Sequence, residues 1–125
     1  MLDVKFSELV GKTIVEIIGG RGDDELTIRC SDGTEYRQYH SQDCCESVDI
    51  DDIIGDIADV IGSPVIVAEE SSSDANPEGV TPPEYQDSFT WTFYKIDTAK
   101  GGITIRWYGA SNGYYSERVD FARVH

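Results

Sequence analysis

The sequence predicts an α+β fold, a curved antiparallel β-sheet with one amphipathic helix packed on its apolar face. Three observations lead there: alternating β-rich stretches in the first third, an isoleucine series at helical spacing in the middle, and two alternating aromatic stretches near the end. Thr13 to Ile18 is rich in β-branched residues and stops at Gly19-Gly20. Leu26 to Cys30 alternates, Asp32-Gly33 has the composition of a hairpin turn, and Glu35 to His40 is the expected return strand. Ile50, Ile53, Ile54, Ile57 and Ile61 then follow an i, i+3, i+4 pattern. Asp51, Asp52, Asp56 and Asp59 fall on the other face, Asp49 is placed as an N-cap, and Gly62 and Pro64 end the element. Gly55 weakens that helix by about 1 kcal/mol against alanine. The acidic residues do not fit a calcium loop, because isoleucines occupy the fifth and sixth positions counted from Asp49.

Val65 to Ala68 reads as a short strand, and 69–87 as a mobile acidic, Ser- and Pro-rich loop within one domain spanning 1–125. In the last third, Phe89, Trp91 and Phe93 alternate with Thr90, Thr92 and Tyr94. Ile103, Ile105 and Trp107 alternate with Thr104, Arg106 and Tyr108. The two stretches are expected to pair antiparallel, with Phe89, Trp91 and Phe93 joining Ile103, Ile105 and Trp107 in the core. Asn112-Gly113 marks a turn, and Glu117 to Val124 is a closing strand with Val119 and Phe121 inward.

The 125 residues, 39% hydrophobic and 10% aromatic, suit a folded domain that needs no staples. Twenty-four acidic residues against ten basic ones give a net charge of -14, which repels nucleic acid and anionic membranes and attracts basic protein surfaces. No apolar run has the length of a membrane span and the first residues do not resemble a signal peptide, so a cytoplasmic location is expected. Three cysteines, two of them adjacent, make a poor disulfide framework. Cys44 and Cys45 are not expected to bridge each other, and all three are expected as thiols.

Two segments mix hydrogen-bonding groups with flat side chains, Tyr39 to Glu46 and Arg106 to Glu117. His40 with Cys44 or Cys45 has the makings of an activated thiolate, although the acidic surroundings oppose one. Tetrahedral zinc lacks a Cys-x-x-Cys pair. The plainer reading packs one cysteine in the core and uses His40, Ser41 and Gln42 to satisfy a turn. Arg106 beside Tyr108 offers a charged fork next to a stacking surface. Ser111, Asn112, Tyr114 and Tyr115 add donors and further rings. Together His40, Ser41, Gln42, Asp43, Arg106, Tyr108, Ser111, Asn112, Tyr114 and Tyr115 form the candidate ligand-binding set. No catalytic residue, metal or cofactor is assigned.

His40-Ser41-Gln42-Asp43-Cys44-Cys45-Glu46-Ser47-Val48, Trp91-Thr92-Phe93-Tyr94-Lys95 and Ile105 to Glu117 resemble a small domain family of bacteriophage and prophage genomes, a domain of unknown function. The resemblance covers Gly11 to Phe121 apart from the acidic loop. It implies a phage-encoded accessory protein acting in the host cytoplasm against host defence. The expected activity is sequestration of a nucleotide-derived small molecule in a polar and aromatic pocket. The rival is an acidic inhibitor that blocks a basic, nucleic-acid-binding surface of a host protein, with a cysteine/histidine-dependent enzyme as a weaker third. No direct contact with nucleic acid or membrane is expected, and a homodimer is compatible with exposed sheet edges.

Overall fold

The computed structural model describes residues 1–83 and 86–125, and over these the chain is all-β. Nine strands form two antiparallel sheets. They are β1 (Leu2–Asp3), β2 (Ile14–Ile18), β3 (Glu25–Cys30), β4 (Glu35–Tyr39), β5 (Ser47–Ile54), β6 (Val65–Ser73), β7 (Ser88–Thr98), β8 (Gly101–Ser111) and β9 (Asp120–Arg123). The first sheet runs β1-β9-β4-β3-β2 and the second β5-β8-β7-β6. The chain therefore crosses between sheets twice through short segments, at 40–46 and again at 112–119. No helix among the described residues is long and apolar enough to cross a membrane.

The meander β2-β3-β4 and the β7-β8 pair stand where the alternation placed them. Gly33, at φ +87°, makes the β3-β4 turn. Val119, just before β9, and Phe121, within it, are buried as expected, while the closing strand is Asp120–Arg123 rather than the expected Glu117 to Val124.

The amphipathic helix is overturned. Residues 47–54 are strand β5, and the only helical turns among the described residues are two short 3-10 turns, Phe6–Leu9 and Ile57–Val60. A β-bulge explains the misleading period. Val48 and Ile50 point inward two residues apart; the register against β8 then shifts between Ile50 and Asp52, which moves the next half-buried isoleucine to Ile53. An inserted residue in a strand thus imitates an i, i+3 step. Gly55 ends the strand at φ +106°, where a Cβ would lie 2.7 Å from the Gly102 carbonyl. Asp49 is a mid-strand residue opposite Tyr108 and caps nothing. The cap of the 3-10 turn is Asp56, whose carboxylate accepts from the Ala58 N–H at 3.0 Å.

Two further expectations are corrected. Strand β6 continues through Glu69–Ser73, so the acidic loop begins only after Ser73, and 84–85 of that loop lie outside the described residues. The faces of β7 are also exchanged. Tyr94 lies opposite Ile105 and Thr92 opposite Trp107, so the core face of β7 is Thr92, Tyr94 and Ile96. Trp91 and Phe93 lie opposite Tyr108 and Arg106 on the outer face. Alternation alone does not choose between two faces that both carry aromatic rings.

Both sheets share one core. Phe6 stands between them, with its ring 4.7 Å from Tyr94 of the second sheet and 5.0 Å from Phe121 of the first. Trp107, fully buried on β8, donates its indole N–H to Gln38 Oε1 of β4 at 2.9 Å. That bond fixes the Gln38 amide and leaves its Nε2 without a partner. Trp107→Phe should therefore cost about 2 kcal/mol or more, since it leaves both ends of a buried amide unpaired and opens a void. Gln38→Leu should cost less, because it removes the orphaned donor with the acceptor and opens no void, leaving only the Trp107 indole N–H unpaired. Urea unfolding of the two variants checks the order.

Candidate functional site

The crossing segment 40–46 is built around a buried carboxylate. Glu46, 4% exposed, is ringed by four donors. Oε2 faces His40 Nε2 at 2.7 Å and the Asp43 N–H at 2.9 Å, while Oε1 faces the Cys44 N–H at 2.9 Å and Gln42 Nε2 at 3.2 Å. Gln42 also donates to the Glu46 carbonyl at 2.7 Å. The other ring nitrogen of His40 lies 2.6 Å from the Arg118 carbonyl in the second crossing segment. One ring nitrogen thus faces a carbonyl and the other a carboxylate, so the imidazole ties the two crossing segments together. The His40–Glu46 contact is a buried hydrogen bond to a carboxylate, costly to leave incomplete because both groups are out of water.

The second crossing segment is fixed as closely. Glu117, 9% exposed, accepts from Thr90 Oγ1 at 2.8 Å and from Ser111 Oγ at 2.5 Å. Asn112 accepts the Tyr114 N–H in the turn, leaving Tyr114 exposed with its ring edge-on to Tyr115 at 5.0 Å. Tyr94 donates to the Val119 carbonyl at 3.4 Å. Burial, then the neighbouring Glu70, hold that phenol well above its ordinary value.

Arg106 and Tyr108 lie elsewhere, on the outer face of the second sheet. Arg106 is tied to Asp51 Oδ2 by Nε at 2.9 Å and Nη2 at 2.6 Å, and its guanidinium sits 5.5 Å from the Trp91 ring. Trp91 packs 4.5 Å from Tyr108, with Phe89 beyond. The long loop folds back over these rings. Asn76 accepts the Trp91 indole N–H at 3.1 Å, Gln86 donates to the Tyr108 hydroxyl at 2.8 Å, and the two amides bond each other. The expected set is thus divided. His40 and Ser41 meet the segment at Arg118 and Asp120, Gln42 and Asp43 bond to Cys44 and Glu46 within their own segment, and Arg106 and Tyr108 belong to a separate small core under the loop.

Cys44 and Cys45 are joined by a disulfide, S–S 2.07 Å, which corrects the expectation of free thiols. The physical reason is local: Glu46 gathers the N–H groups of Asp43 and Cys44 and so folds the two cysteines into one tight, exposed turn. Cys30 is a free, buried thiol on β3, pushed up from its ordinary value by burial. Both His40 nitrogens are engaged elsewhere, so no imidazole–thiol pair forms among the described residues. No cluster there has the makings of a metal site.

The open feature of the molecule is a cleft of about 590 Å³ at the side of the structure where the edge strands β1 and β6 lie. Asp3, Glu70, Glu117 and Asp120 line it with Ser71, Ser72, Thr90 and Thr92, and Arg118 is the one basic residue among the lining groups. Thr92, 5% exposed, makes no side-chain hydrogen bond among the described residues and opens onto this space. Sequence reasoning missed the cleft because its carboxylates come from strands far apart in the chain. The one available signal was Glu117, an acid beside serines and tyrosines in a flagged segment.

Fold and site define a small all-β domain of two antiparallel sheets with polar, welded crossovers and an acidic side cleft. The chain belongs to the family described as Domain of unknown function (DUF7448), whose model matches residues 7–121. No curated protein and no solved structure matches it.

Burial would raise the Glu46 carboxyl, but the hydrogen bonds from His40 and from the N–H groups of Cys44 and Asp43 hold it down at about 2. An unstructured glutamate protonates near 4.5, so on acidification the unfolded chain takes up this proton first. The stabilisation is complete above about 4.5 and is lost as pH falls through about 2. Glu46→Gln should melt well below the parent at neutral pH, and the gap should close across that window. Thermal melts against pH for both proteins measure it.

Proposed function

We propose that this chain is a binding protein whose acidic cleft receives a cationic group from a basic partner protein. The observation that carries the reading is the convergence of Asp3, Glu70, Glu117 and Asp120 around one open cleft with the buried Thr92 hydroxyl in its lining. The chain's own Arg118 illustrates the chemistry, since its guanidinium pairs with Asp120 at 3.0 Å while 77% of the side chain stays exposed. The net charge of -14 steers a basic surface toward the site. In the setting that the motif resemblance implies, a bacteriophage accessory protein in a host cytoplasm, the partner is a host factor whose basic surface otherwise holds nucleic acid.

A lysine-rich peptide should bind the intact chain, and added salt should weaken binding. Asp3→Asn with Glu70→Gln should weaken it about tenfold, the scale of losing two charge-assisted contacts. Asp24→Asn with Glu78→Gln removes the same charge away from the cleft and should leave affinity nearly unchanged. Equal losses in the two double variants, read by calorimetry, would mean that only net charge matters and would sink the cleft reading.

A second reading keeps the nucleotide-derived ligand and rests on a different observation. Trp91, Tyr108 and Phe89 offer flat rings beside Arg106, and the Asn76–Gln86 amide pair covers them with hydrogen bonds of the kind that a base edge makes. A planar ligand would displace that pair. Incubation with cyclic nucleotides and ADP-ribose-type molecules, filtration, then heating should return the intact molecule if this holds. A panel left undepleted by the protein would remove it.

A further inference from the structure

We infer that the partner binds as a strand: an extended basic segment adds to the free edge of β6 at Glu69–Ser73 and lowers alternate basic side chains into the acidic cleft. This rests on the cleft reading above and names the form its partner takes. Strand β6 ends the second sheet and pairs only with β7. Its first residues are already covered by the chain itself. Val65 exchanges backbone hydrogen bonds with Gly11 and Lys12, each 2.8 Å, and Pro64 bridges Thr13. Beyond Val65 the outward backbone groups of β6 have no backbone partner among the described residues outside the sheet, and Glu69 to Ser72 are exposed. The chain thus shows this edge accepting a strand-like segment at one end and leaves the other end open.

The alternation sets what such a segment carries. Ala68 is buried and Glu70 and Ser72 lie opposite the inward-facing Tyr94 and Thr92, so Glu70 and Ser72 point toward the core side, where the cleft lies. A strand laid beside them sends every second side chain the same way, about 6.7 Å apart. Those side chains reach the space bounded by Asp3, Glu117 and Asp120, with the Thr92 hydroxyl in its lining. Lysine or arginine at alternate positions matches this surface in charge. A second copy of the chain does not, because its β6 would bring Glu69 and Glu70 against the same acids.

The test uses the intact chain and three peptides alternating lysine with threonine: one unmodified, one N-methylated at the lysine residues, one N-methylated at the threonine residues. All carry the same charge. In an added strand, the N–H groups of alternate residues face the edge. One methylated isomer should therefore lose about tenfold or more in affinity while the other binds like the parent peptide. Equal binding of all three peptides would overturn strand addition and leave the cleft reading standing. Failure of the unmodified peptide to bind would overturn the cleft reading and this inference with it.

Discussion

The architecture depends on one buried contact, the hydrogen-bonded pair of His40 with Glu46. The chain passes between its two sheets at 40–46 and at 112–119, and this pair joins the two passages. Glu46 organises the first through four donors, and His40 reaches the Arg118 carbonyl in the second. A buried polar pair of this kind adds little net stability against an apolar replacement of the same shape. It does penalise every arrangement in which one partner is missing, because a lone buried charge is far more costly than either end state. Two sheets that share an apolar core can slide over one another at small cost in buried area. They cannot slide without breaking a fully satisfied polar cluster. The Trp107–Gln38 hydrogen bond adds the same kind of restriction deeper in the core.

Charge is distributed by a similar logic. Lys12, Arg29, Arg37, Arg106, Arg118 and Arg123 each have a carboxylate within pairing distance. Most of the positive charge is thereby held in the chain's own ion pairs, and the acidic excess dominates what the molecule shows to a partner. Exposed pairs of this kind contribute little to stability. Their consequence is for recognition: an anion finds its natural ligands occupied, whereas a cation finds carboxylates on an open cleft.

The strands of the first third and the β7-β8 pair were legible because alternation and glycine turns are local signals read over a few residues. The helix over 50–61 was misread for a physical reason: the bulge at Ile50–Asp52 adds one residue to a two-residue period and so copies the helical spacing. The β-branched isoleucines and the glycine at 55 were the contrary evidence. The faces of β7 were illegible because Trp91 and Tyr94 are both buried, one under the long loop and one in the core. His40, Gln42 and Ser111 stand out in the sequence as polar groups among flat rings, and composition does not tell whether such a side chain grips a ligand or another part of the chain. Apart from Glu117 the cleft was out of reach, since Asp3, Glu70 and Asp120 come together only once both sheets are assembled.

The polar residues of the crossing segments and the wall of the cleft are nevertheless one connected structure. Each residue from 117 to 120 is held by a group from β7, β8 or the first crossing segment. Glu117 is fixed by Thr90 and Ser111, the Arg118 carbonyl by His40, the Val119 carbonyl by Tyr94, and Asp120 by Ser41 at 3.3 Å. A crossing segment would ordinarily be among the more mobile parts of a small domain and would surrender entropy when it met a partner. Here that ordering is completed on folding, so the carboxylates of the cleft wall stand in place before any partner arrives. Under the proposed function, His40, Ser41 and Ser111 act on recognition without touching the partner, by setting the wall that it meets. The same arrangement gives the buried His40 its place: one ring nitrogen meets Glu46 and the other the Arg118 carbonyl, so the two crossing segments and the acidic wall keep one register.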